Sequence, residues 1–88
     1  MAAGNRVIVA EVLSPATQAV NLGDKLAEYF RVPSIHHYLV VRVRRAEVIH
    51  HRRGPAGEIV TRVVTAGALV LDPPGITVML GEIHAAPV

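Results

Sequence analysis

The sequence predicts an α+β domain in which a strand–helix–strand unit is extended by antiparallel strands. Three observations predict it. The stretch 7–13, VIVAEVL, is dominated by β-branched and small apolar residues, which is strand composition. An amphipathic stretch follows, stops at Val32-Pro33, and is succeeded at once by a second β-rich run, HHYLVVRVR. Further on, apolar runs are separated by short turn sequences, GPAG at 54–57 and PPG at 73–75, the punctuation of hairpins.

The first strand begins near Arg6. It is apolar on both faces, which predicts a central strand of a covered, partly parallel sheet. Side chains alternate along a strand, so Val7, Val9, Glu11 and Leu13 share a face. An ionised carboxylate at Glu11 loses several kcal/mol of hydration in such company unless something compensates it. The compensator is a cation, a hydrogen-bond cluster or a metal ion. The segment SPATQAV, 14–20, is expected to be a loop with one irregular turn.

A helix is expected over about 21–31, with Asn21 as its N-cap and Asp24 three residues on as a weak capping box. Pro33 disfavours helix at Val32 and so stops it. At 100° per residue, Leu22, Gly23, Leu26, Ala27, Tyr29 and Phe30 fill one half of the wheel, and Asn21, Asp24, Lys25, Glu28 and Arg31 fill the other. Lys25 lies on the border beside Tyr29. Its stem can therefore rest on apolar surface while its head reaches a buried acid. The Gly23 position costs about 1 kcal/mol relative to Ala.

HHYLVVRVR is the next strand, and its order after strand and helix implies a right-handed βαβ crossover. AEVIHHRR follows a tight connection. EIVTRVVT returns from the GPAG turn as its hairpin partner. ALVLD and ITVML flank PPG, and the tail LGEIHAAPV holds one short helical turn. No internal repeat or low-complexity linker interrupts the chain, so 1–88 reads as a single domain.

Composition narrows the function classes. The chain of 88 residues is 51% hydrophobic but 3% aromatic, so its core is built from Val, Ile, Leu and Ala. Without cysteine, disulfides and thiolate metal sites are excluded. No apolar run approaches the ~20 residues of a membrane span. The first apolar run, 7–10, is cut short by Glu11, which argues against a signal peptide. A cytoplasmic location is the resulting expectation. Net charge is +2, yet five of the nine basic residues (Arg42, Arg44, Arg45, Arg52 and Arg53) lie between 42 and 53, with Glu47 the one acid among them. Lys25 is the sole lysine.

Four blocks, AEVLSPAT, GDKLAEYFRVPSIHHYLVV, VIHHRRGPAGEI and LDPPGITVMLGEI, resemble in order the C-terminal half of the Uma-type restriction endonucleases, of the PD-(D/E)XK nuclease superfamily. The resemblance covers nearly the whole chain. It implies a restriction-endonuclease-like core and Mg²⁺-dependent hydrolysis of DNA phosphodiesters. Glu11 matches the acid of the family's EVxS strand, a metal ligand and catalytic residue. The superfamily's usual lysine position, two residues on, is Leu13 here. Lys25 matches the helix lysine that many Uma-type sequences carry instead, a cation that orients or activates water. Ser14 and Tyr29 match supporting positions.

The departures bear on activity. The family's upstream half, with the strand bearing the PD aspartate, has no counterpart in this sequence, and only five residues precede the strand that begins at Arg6. Asn21 and Arg42 stand where many members have Asp. The resemblance therefore implies a partial nuclease-like domain, truncated and inactive alone, with an open sheet edge covered by a second copy or a complementing chain. The competing reading is a non-catalytic remnant, a subunit or weak nucleic-acid-binding module, in which Arg42, Arg44, Arg52 and Arg53 contact backbone phosphates.

Plainer accounts stand beside each of these. Glu11 and Lys25 would also suit a structural ion pair. The arginines would also suit a solvated hairpin that resists aggregation. His36-His37 and His50-His51 cannot chelate one ion as neighbours on a strand, because adjacent side chains point to opposite faces. One histidine from each pair could meet across the sheet, but surface positions on a hairpin are the expectation, as for His84.

Overall fold

The structure is a computed structural model, and it describes residues 6–13, 22–42 and 46–83. Its elements are β1 (Ile8–Leu13), α1 (Leu22–Phe30), β2 (His37–Arg42), β3 (Glu47–Arg53), β4 (Ile59–Val64), β5 (Ala68–Leu71), β6 (Ile76–Met79) and the short α2 (Leu80–Ile83). The fold is α+β, consistent with a restriction-endonuclease-like core. β1 to β4 form one mixed sheet in the order β1-β2-β3-β4, and β5 and β6 form a second, two-stranded sheet. β1 runs parallel to β2, as the intervening helix requires, and β2, β3 and β4 are antiparallel neighbours.

Register divides the large sheet into two faces. Glu11 lies opposite Val40, Tyr38 opposite His51, and Ile49 opposite Val63. On that face Leu13, Tyr38 and Val40 are buried against Leu22, Leu26, Tyr29 and Phe30 of α1. On the other face Leu39, Val48 and Val64 pack against Leu69, Leu71 and Leu80. The result is three layers: α1, the four-stranded sheet, and the β5–β6 hairpin with α2. Alternation in the sequence produces this directly, since odd and even positions of β2 serve different cores.

The turns follow their chemistry. Gly57 and Gly75 adopt φ of +86° and +112°, values that L side chains rarely reach. Gly75 closes the β5–β6 turn by donating to the Leu71 carbonyl at 2.8 Å.

One expectation about β1 needs correction. It is not central: among the described residues it pairs only with β2, at the edge of the sheet. Its apolar run reflects two different fates. Val9 and Leu13 join the α1 core and Ile8 packs on the second core, but Ala10 is exposed and Val12 is 60% exposed. The second layer does not reach that end of the strand.

Candidate active site

Glu11 is placed by β1 on the α1 face, and Lys25 and Tyr29 are placed over it one helical turn apart on α1. Lys25 Nζ donates to Glu11 Oε1 at 3.0 Å, and the Tyr29 hydroxyl donates to the same oxygen at 3.2 Å. The pair is half-buried, with the carboxylate side chain 24% exposed and the lysine 35%. Two donors thus converge on Oε1, while Oε2 accepts no hydrogen bond from the described residues. The compensation that the sequence demanded for Glu11 is a cation together with a hydroxyl.

The hydrogen bond to Glu11 is the main reason the Lys25 pKa lies above its ordinary 10.5, with the attraction of the same carboxylate adding to it against some desolvation. Lys25 is therefore an ammonium at neutral pH. It can donate hydrogen bonds and stabilise negative charge, but it is not poised to abstract a proton.

The site continues inward through aromatic rings. The Tyr29 ring lies 5.0 Å from that of Tyr38, tilted by 57°, and the Tyr38 ring stacks on His51 at 5.6 Å. His51 is held by a 2.8 Å hydrogen bond between Nδ1 and the Thr61 hydroxyl, and partial burial lowers its pKa. Tyr38 is fully buried, and its hydroxyl has no hydrogen-bond partner among the described residues. Burial first, and then the Glu11 charge, push its pKa up to about 12, so it remains a neutral hydroxyl. Sequence reasoning missed Tyr38. The signal was available: in a parallel β1–β2 pair, alternate residues of HYLVV must face the same helix as Glu11.

The described arginines of the basic run, Arg42, Arg52 and Arg53, do not gather into one surface. Arg53 turns under α1, where its guanidinium donates to the carbonyls of Phe30, Val32 and Ile35 and lies over the Phe30 ring. Arg42 pairs with Glu47 at 2.9 Å. Arg52 belongs to the opposite face, where its charge acts on His37 and His50. Arg44, Ser14, Asn21 and His84 lie outside the described residues.

The histidines also differ from expectation. His37 and His50 are 2% and 4% exposed rather than at the surface. They meet across β2 and β3, with His37 Nδ1 2.9 Å from His50 Nε2, and His37 Nε2 lies 2.9 Å from the Pro73 carbonyl. The hairpin that was expected to be open is covered on this face by the second layer. Desolvation lowers the pKa of both imidazoles, that of His50 to about 4. With both rings neutral, His37 Nε2–H donates to Pro73 and its Nδ1 accepts from His50.

As for metal ligation, Glu11 supplies one hard oxygen ligand, but no group of three ligating side chains exists among the described residues. Mg²⁺ takes six oxygen ligands, typically one or two carboxylates with the rest from water and substrate. A lone carboxylate held by an ammonium does not make that site. No helix among the described residues is long and apolar enough to cross a membrane.

Comparison with protein families finds a match over residues 5–81 to the family Uma2, described as "Putative restriction endonuclease". Comparison with curated proteins and with solved structures finds no match.

Proposed function

Since the chain belongs to the Uma2 restriction-endonuclease family, we propose that it carries the glutamate–lysine half of a Mg²⁺-dependent DNA phosphodiester hydrolase site of the PD-(D/E)XK type. The chain is inactive alone. The observation that carries this reading is the 3.0 Å contact between Lys25 and Glu11 on adjacent elements. In the proposed roles Glu11 would offer Oε2 as one oxygen ligand for a metal completed by ligands from elsewhere. Lys25, fixed as an ammonium, orients the attacking water and stabilises charge on the phosphate. Tyr29 keeps Oε1 engaged, so that Oε2 is the oxygen presented.

A second acidic ligand comes from a second copy or a complementing chain. The open side of β1, next to Glu11, is where such a chain would align its own side chains with the site. What supports this is the edge position of β1 and the incomplete ligand set, both among the described residues.

The test is Mg²⁺-dependent nicking of plasmid DNA by the purified chain, alone and mixed with a segment bearing the family's upstream PD strand. Cleavage is expected only in the mixture, and Glu11→Ala is expected to reduce it by at least about 100-fold, the scale on which a single electrostatic group at a reacting centre acts. Cleavage that survives Glu11→Ala would overturn the assigned role. Salt-sensitive DNA binding with no cleavage in any mixture would favour a binding subunit.

A further inference from the structure

Among the described residues, the Tyr38 hydroxyl is a buried polar group with no hydrogen-bond partner. A phenol hydroxyl that is fully buried and unpartnered is a net cost to folding, and native interiors rarely keep one without a use. Its surroundings indicate the use. Tyr38 is in register with Val9, which makes Glu11 its diagonal neighbour on the same face, within reach of an aromatic side chain. Its ring packs directly on Tyr29, whose hydroxyl is already bonded to Glu11 Oε1. The Glu11 charge is felt at the Tyr38 hydroxyl. One layer therefore holds an unmatched donor, Tyr38 O–H, and an unmatched acceptor, Glu11 Oε2.

We propose that Tyr38 is a positioning residue of the Glu11 site, holding one water molecule that bridges its hydroxyl to Glu11 Oε2. The Tyr38 hydroxyl donates to the water oxygen, and the water donates to the carboxylate. With Lys25 and Tyr29 on Oε1 and this water on one lone pair of Oε2, both carboxylate oxygens are held, the plane of the group is set, and the second lone pair of Oε2 stays open. An internal water with polar partners on two sides is stable in such a place. The inference rests on Glu11 as the centre of the site, and its test does not involve DNA cleavage.

The chain contains two tyrosines, so Tyr29→Phe leaves Tyr38 as the sole source of the tyrosine Fermi doublet in a Raman spectrum. The expected spectrum is that of a hydrogen-bonded phenol, which shifts toward the non-bonded ratio when Glu11→Met is added. A non-bonded phenol in the Tyr29→Phe chain overturns the proposal. So does a bonded phenol indifferent to Glu11→Met, since its partner would then lie elsewhere. Thermal unfolding is a second readout that needs no Tyr29 variant. Tyr38→Phe is expected to lower Tm by about 3–6 °C in the parent chain and to have no effect in the Glu11→Met background. A Tm that rises with Tyr38→Phe in the parent chain identifies a hydroxyl with no ligand, and also overturns the proposal.

Discussion

At Arg53 a single guanidinium makes four hydrogen bonds, from Nε to Ile35 and from Nη2 to Phe30, Val32 and Ile35, at 2.9–3.1 Å. These carbonyls belong to the last turn of α1 and the segment after it, where a helix leaves acceptors unsatisfied and its dipole favours a cation. Arg53 thereby ties α1, and with it Lys25 and Tyr29, to the sheet that carries Glu11. Arg53→Ala is expected to destabilise the fold by about 3 kcal/mol, because charge-assisted bonds to part-buried carbonyls are lost. Arg53→Lys should recover only part of this, since an ammonium lacks the planar fork. Urea unfolding of the three chains measures both. The basic run gave no hint of this role, because a sequence records charge but not which carbonyls a turn leaves bare. Glu11 and Lys25 were legible for the opposite reason. A carboxylate in an apolar run needs a partner, and the helix wheel placed the one lysine where its head reaches that acid.

At the scale of elements, the β5–β6 hairpin is held to the large sheet by the shared core of Leu39, Val48, Leu69 and Leu71 and by the chain of bonds from His50 through His37 to Pro73. The bond between the rings needs at least one of them neutral to accept, and their burial favours the neutral form of both. The charges of His36, Arg52 and Asp72 also act on His37, and those of His37, Arg52, Arg62 and His51 act on His50. Most of these are cationic or become so, and they reinforce desolvation. The folded pKa values lie below the ordinary 6.5, so between 6.5 and about 4 the unfolded chain binds more protons than the folded one. Stability is therefore full above pH 6.5 and falls as pH drops toward 4, with His50 alone contributing on the order of 3 kcal/mol. Urea midpoints taken from pH 7.5 to 4 should show this fall, and the combined replacement His37→Phe and His50→Leu should flatten it. A midpoint insensitive to pH in the parent chain would show that the rings are not buried neutral. The strands carrying these histidines were readable from alternation and turn residues. Their burial was not, because the layer that covers them comes from residues 68–80, and no local pattern says which face of a sheet a later hairpin will choose.

For the whole molecule, the decisive feature is the outer side of β1. Val7 accepts hydrogen bonds from the backbone at the start of β2, and backbone groups alternate in direction along a strand. The N–H and C=O groups of Ile8, Ala10 and Val12 therefore point away from β2, to a side on which no strand pairs among the described residues. Ala10 and Val12 are also exposed through their side chains. This edge has few of the devices that discourage pairing: no proline, no bulge, and one charge, Glu11, which is already neutralised by Lys25. β4 at the other edge is better guarded, with Arg62 exposed in its middle. Association through β1 is thus expected, and it would bring another chain's side chains beside Glu11. Ala10→Pro isolates this contact, because it removes an outward N–H without touching the ladder to β2, the one setting in which a strand tolerates proline. Sedimentation velocity should show the parent chain self-associating as concentration rises, or binding an upstream PD-strand segment, and the Ala10→Pro chain remaining a folded monomer in both cases. If the proline chain associates as well as the parent, pairing does not run through this edge, and the proposed second acidic ligand would have to reach Glu11 from another direction.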